Sequence, residues 1–159
     1  MGVCGTGKST IGRALSKELS WPFFDSDDFH PAANVEKQRQ GIPLTDEDRW
    51  PWLNNIHDKM TEVVKQGGSA IFGCSALKES YRALLRKGIS EFVIFHLSGD
   101  RELVRERMLK RKGHFMPASL VDSQYATLES PNDAISMDIS LSPDEIVQLI
   151  LKEIRQIRR

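Results

Sequence analysis

The stretch Gly2-Val3-Cys4-Gly5-Thr6-Gly7-Lys8-Ser9-Thr10 restricts this chain to few folds. Its spacing, G-x-x-x-x-G-K-[ST], wraps backbone N–H groups around an anion and presents that anion to the N-terminus of the next helix. Gly2, Gly5 and Gly7 permit backbone conformations and close approaches that a Cβ obstructs. Lys8 has the reach to meet the β- and γ-phosphates of a nucleotide, and the Ser9 hydroxyl is a hard oxygen ligand suited to Mg²⁺. Such a loop joins a buried strand to a helix. Here only Met1 precedes Gly2. About 6–12 further residues, apolar and β-branched, are expected ahead of it in the intact protein, and their loss is expected to weaken the sheet.

Behind the loop the apolar pattern alternates between helix and strand periods. Ile11, Ala14, Leu15 and Leu19 predict a helix over 8–20, and 21–25 reads as a short strand ending in acidic residues. A polar helix over 32–40 stops at Gly41, and 42–48 reads as a loop. Pro51 suits a helix's first turn, and Trp52, Leu53, Ile56, Met60, Val63 and Val64 supply that helix's apolar face up to Gly67-Gly68. Strands are predicted at 70–72 and 92–97, helices at 76–87 and 100–112, and a loop-rich stretch with one short helix at 113–130. Ile135, Met137 and Ile139 alternate as a last strand, and a closing helix opens at Ser142-Pro143-Asp144-Glu145. Strands alternating with helices imply a parallel sheet in a three-layer α/β/α sandwich, with ligands bound beyond the carboxyl ends of the strands. Asp25–Asp28, Cys74-Ser75 and Ser98-Gly99-Asp100 are expected to converge there.

Composition narrows the function classes. The 22 basic and 22 acidic residues cancel, so no global field favours nucleic acid or an anionic membrane. Two cysteines among 159 residues do not make a disulfide scaffold. The longest apolar runs, such as 92–95, are too short to span a bilayer. A single cytoplasmic domain is expected.

Asp25-x-Asp27 adds a reaction to the nucleotide. One carboxylate there can hold Mg²⁺ through water while the other positions and deprotonates an acceptor hydroxyl; the alternative is a solvated acidic turn. Arg101, Arg105, Arg107, Lys110, Arg111 and Lys112 form a basic segment leading into Gly113-His114-Phe115. It reads as a lid, at about 100–130, that neutralises transition-state charge, or as a solvated helix laced with i,i+4 pairs. Cys4 and Cys74 read as small packing residues, as do Trp50 and Trp52, and His57 reads as a surface residue.

These residues, together with Phe29-His30-Pro31, Asn34, Glu36-Lys37, the run 41–49 (Gly-Ile-Pro-Leu-Thr-Asp-Glu-Asp-Arg), Pro51-Trp52-Leu53, Cys74-Ser75-Ala76-Leu77-Lys78, Tyr81-Arg82, Leu97–Asp100, Arg111–Phe115, Gln124 and Thr127-Leu128-Glu129, carry a resemblance. Nearly end to end, the chain resembles the P-loop gluconokinases, small kinases related to shikimate and adenylate kinases. The resemblance implies transfer of a phosphoryl group from ATP, with Mg²⁺, to the 6-hydroxyl of D-gluconate. It implies a homodimer as well. Residues 2–10 would bind ATP, Ser9 and (through water) Asp25 would hold the metal, and Lys8, Asp27 and Arg107 or Arg111 would act in catalysis. Arg49, Lys78 and Arg82 are candidates for the gluconate carboxylate, and Asp27, His30 and His114 for its hydroxyls; the alternative for Arg49 is to cap or pair with Asp46 and Asp48. Competing readings are a small kinase for another acceptor, such as shikimate or a nucleoside, and a nucleotide-binding module without transfer activity.

Overall fold

The computed structural model describes residues 1–110 and 120–157. Gly7, at φ 97°, turns the loop into α1 (Lys8–Leu19), whose Ile11 and Leu15 are buried. β1 (Phe23–Asp25) follows, then a 3-10 turn at Ser26–Phe29 and α2 (Ala32–Arg39). α3 (Asp46–Lys65) starts earlier than the sequence reading places it. Thr45 and Asp48 form a reciprocal capping box, so the first turn is built from residues read as loop, and Pro51 lies inside the helix. β2 (Ile71–Gly73) leads to α4 (Glu79–Arg86), shorter than the expected 76–87 because Ala76 takes a left-handed conformation at φ 44°. β3 is Phe95–Ser98, α5 Arg101–Lys110, α6 Leu120–Thr127, β4 Ile135–Asp138 and α7 Pro143–Ile157. Ser142 caps α7, exchanging hydrogen bonds with Glu145 at 2.9 and 3.3 Å.

β1 pairs with β2 and β3 with β4, both in parallel register, Asp25 opposite Gly73 and Ser98 opposite Asp138. Among the described residues these are two separate two-stranded ladders rather than one. Met1 and Gly2 run between them. The Met1 amine donates to the Phe95 carbonyl, Leu97 N–H donates to the Met1 carbonyl at 2.9 Å, and Gly2 N–H donates to Ser75 O at 3.4 Å. The phosphate loop therefore leaves from between β2 and β3, level with their carboxyl ends. A Cβ on Gly2 would lie 2.7 Å from the Leu97 carbonyl, so only glycine passes there.

α1 packs against β1, β2 and α7, α3 against α4, and α5 against α6, covering the strands as a parallel α/β architecture demands. Leu53, Ile56, Val104, Val121 and Ile139 are fully buried, each contributing about 1.5–3 kcal/mol of apolar burial. No helix among the described residues is long and apolar enough to cross a membrane. Cys4 and Cys74 are both buried.

Candidate active site

The loop closes on itself through Val3, whose carbonyl accepts from Thr6 Oγ1 and from Lys8 Nζ, each at 2.9 Å. Lys8 is thus folded back over the ring of N–H groups it is expected to serve. Cys4 N–H donates to Gln124 Oε1 at 2.7 Å, which ties α6 to the loop. Ser9 Oγ donates to Asp25 Oδ2 at 2.5 Å, across the gap between α1 and the end of β1. The other Asp25 oxygen accepts the Asp27 N–H at 3.2 Å, fixing the turn that carries Asp27. Lys8, Ser9, Asp25, Asp27, His30 and Arg49 all line one cleft.

Trp52 supports the side of the cleft that carries Ser26 and His30. Its indole N–H donates to Ser26 O at 2.7 Å, and its ring stacks on His30 at 4.3 Å between centroids. It is a packing residue, as its sequence context predicts, and it also lines the cleft. His30 Nδ1 lies 3.4 Å from Asn34 Nδ2, which also donates to Asp48 O at 2.8 Å. Burial, helped by the Arg49 charge, lowers the His30 pKa to about 4, so the ring is neutral near pH 7 and can both donate and accept. The unfolded imidazole takes its proton near pH 6.5 and the folded one only near 4, so between these values the unfolded chain binds more protons. Stability is expected to fall as pH drops through that window, by at most about 1.4 kcal/mol per pH unit from this group. His96, also lowered by burial, acts in the same direction. Urea titrations from pH 7.5 to 5 check this: His30→Phe should flatten the slope, and an unchanged slope would exclude His30 as the source.

Arg49 has a mixed fate. It lines the cleft, yet its guanidinium donates to Tyr81 Oη at 3.1 Å and lies 3.9 Å from Asp46. The pairing with Asp46 weighed from sequence is present, whereas Asp48 pairs with Lys37 at 2.7 Å instead. Lys78 is held by both Asp46 oxygens at 2.9 Å, and Tyr81 donates to the same carboxylate. The Tyr81 and Lys78 hydrogen bonds hold the Asp46 carboxyl below the usual carboxylate range. Lys78 is not among the cleft-lining residues.

Arg82 and Arg107 likewise stand elsewhere. Arg82, a candidate carboxylate partner, is 1% exposed; its guanidinium donates to Ala76 O at 2.9 Å and Leu77 O at 3.2 Å and pairs with Glu79. It braces the backbone after β2 instead of facing the cleft. Arg107, expected at the γ-phosphoryl group, donates to Ile139 O at 2.7 Å and does not line the cleft. Arg111 and His114 lie outside the described residues. The rest of the basic helix matches the blander reading in part, with Arg105 near Glu102 and Lys110 near Glu106, although Arg105 also meets Asp122 of α6 at 3.3 Å. Ser98, Gly99 and Asp100 face a different recess with Asp138 and Ser140, so only two of the three polar strand ends converge. His57 turns to the Leu85 carbonyl at 3.3 Å, away from the site.

Gln38, on the polar helix α2, lines the cleft and carried no functional signal in the sequence, because a glutamine in a polar helix looks like solvated surface until the fold places it; Gln124 on α6, noted only within the family resemblance, lines it too.

The shikimate kinase family model matches residues 4–155. A gluconokinase of Gluconobacter oxydans is 44% identical over 155 residues, covering 96% of this chain and 87% of that protein. Among solved structures, a sugar kinase from a Janibacter species superposes with TM-score 0.90 at 44% identity, covering 96% of this chain and 90% of that one. A gluconokinase from Sinorhizobium meliloti superposes with TM-score 0.88 at 38% identity over 99% of this chain and 90% of that one. A match running almost from end to end, on a phosphate loop that opens beside Asp25 and Asp27, means that this chain belongs to the shikimate kinase family and, within it, to the gluconokinases.

Proposed function

We propose that the chain transfers the γ-phosphoryl group of ATP to the 6-hydroxyl of D-gluconate, giving ADP and 6-phospho-D-gluconate. The observation that carries this reading is one cleft lined both by the phosphate loop's Lys8 and Ser9 and by Asp27, His30 and Arg49. The gluconokinase relatives supply the choice of acceptor. ATP's phosphates lie on the N–H groups of residues 5–10, with Lys8 swung from the Val3 carbonyl to the β- and γ-oxygens. The 6-hydroxyl hydrogen-bonds to Asp27. As the O6–P bond forms and the bond from the γ-phosphorus to its bridging oxygen breaks, the hydroxyl proton passes to the Asp27 carboxylate and ADP leaves. His30 and Arg49 hold the hydroxyl row and the carboxylate of the sugar acid.

Ser9 and Asp25 fit a magnesium ion, since their hydrogen bond at 2.5 Å brings two hard oxygens together, the Ser9 hydroxyl as a direct ligand and the Asp25 carboxylate as one acting through water. A magnesium ion held there would supply charge neutralisation to the transferring phosphoryl group. We take residues 1–159 as one kinase domain acting in the cytoplasm, as a homodimer, on a small-molecule acceptor and on neither nucleic acid nor membrane. The test is ADP release by the purified protein with ATP and Mg²⁺, in the presence of D-gluconate, shikimate or a nucleoside. Release dependent on gluconate alone is expected. Release dependent on another acceptor, or none from a folded chain, would overturn the choice of substrate.

A further inference from the structure

α2 turns two carboxamides inward, Asn34 and Gln38, one helical turn apart and 4% and 6% exposed. They are treated differently. The Asn34 amide nitrogen is engaged twice, donating to the Asp48 carbonyl at 2.8 Å and lying 3.4 Å from His30 Nδ1. The Gln38 Oε1 is buried and meets no donor among the described residues. Buried side-chain oxygens are nearly always satisfied, and one left bare costs the desolvation of an acceptor without return. If this position only filled space, an apolar side chain of the same length would serve better. Gln38 lines the same cleft as Asp27, His30, Arg49 and Trp52, so the donor that completes it can come from whatever fills that cleft.

We infer that Gln38 is a specificity-determining residue of the acceptor site, its Oε1 accepting a hydrogen bond from one hydroxyl of a polyhydroxylated acceptor. This rests on the gluconokinase reading. The cleft's polar groups then divide by chemistry. Asp27 takes the reacting hydroxyl, Arg49 suits the anionic end, and Gln38, which offers an acceptor without charge, suits a hydroxyl that stays protonated throughout. A neutral acceptor at that point discriminates against analogues lacking the hydroxyl, because they leave it bare again.

The experiment compares wild type with Gln38→Met, which conserves volume and length, by initial rates over D-gluconate and ATP, with thermal melting of the ligand-free proteins. Gln38→Leu is run alongside in case the first variant fails to fold. The expected result is a KM for gluconate raised about five- to tenfold, the worth of one neutral hydrogen bond, with a smaller change in kcat, an unmoved KM for ATP and a higher melting temperature. Among singly deoxygenated gluconates, one should lose the same factor with wild type and lose nothing more with Gln38→Met. A melting temperature that rises while the gluconate KM stays put would overturn the assignment, leaving Gln38 a packed or water-bound amide. A wild type inert towards gluconate would instead overturn the underlying reading and this inference with it. The two failures are distinct.

Discussion

Asp27→Asn is expected to lower kcat about 10²–10⁴-fold while leaving ATP affinity near that of wild type. The substitution keeps shape and keeps one oxygen to accept the acceptor's hydrogen bond, but an amide cannot take the proton as the O6–P bond forms. The local backbone should survive, because the Asp27 N–H, not its side chain, holds Asp25 Oδ1 at 3.2 Å. The pair of Asp25 with Ser9 at 2.5 Å is likewise untouched. Single-turnover rates, set beside binding of a fluorescent ATP analogue, separate the two effects. Near-normal turnover would remove Asp27 from the role of base.

Lys8→Ala is expected to lower kcat/KM about 10²–10³-fold, the scale seen when one preorganised charge is removed from a transition state that accumulates it. Stability gives the control. Lys8 opens α1, where alanine is at least as good a helix former, and among the described residues the lysine ammonium donates to the Val3 carbonyl at 2.9 Å, a single neutral acceptor, so melting should barely move. Lys8→Arg should rescue poorly, because a planar fork cannot replace a compact ammonium inside a ring of N–H groups. Full activity in Lys8→Ala with a normal melt would take the loop lysine out of the mechanism.

The parts of this protein legible from its sequence are those with a local cause. The phosphate loop is local, since its glycines and lysine act within nine residues of chain and open directly on α1. The Asp25-x-Asp27 turn is local too, as is the cap of α7 at Ser142. The late start assigned to α3 was avoidable, because Thr45 and Asp48 stand at capping-box spacing and announce a helix at Asp46. The trimmed start of α4 was not, since nothing in residues 76–78 requires the left-handed turn at Ala76.

What only the tertiary structure decided is where each charge and amide went. Arg49 and Arg82 look alike in sequence as partners for a carboxylate. Folding left Arg49 on the cleft and pulled Arg82 beneath it to satisfy two carbonyls. Arg107, on the expected face of a basic helix, was taken by the Ile139 carbonyl at the end of β4. Gln38, on a helix that reads only as polar, was carried to the cleft. Within the chain, motifs determined the phosphate loop, the helix and strand alternation and the kinase chemistry, because backbone conformation and capping are settled by near neighbours. The long side chains were assigned by the fold, because a buried carbonyl or carboxylate must find a donor, and the donor that reaches it is a matter of spatial, not sequential, proximity.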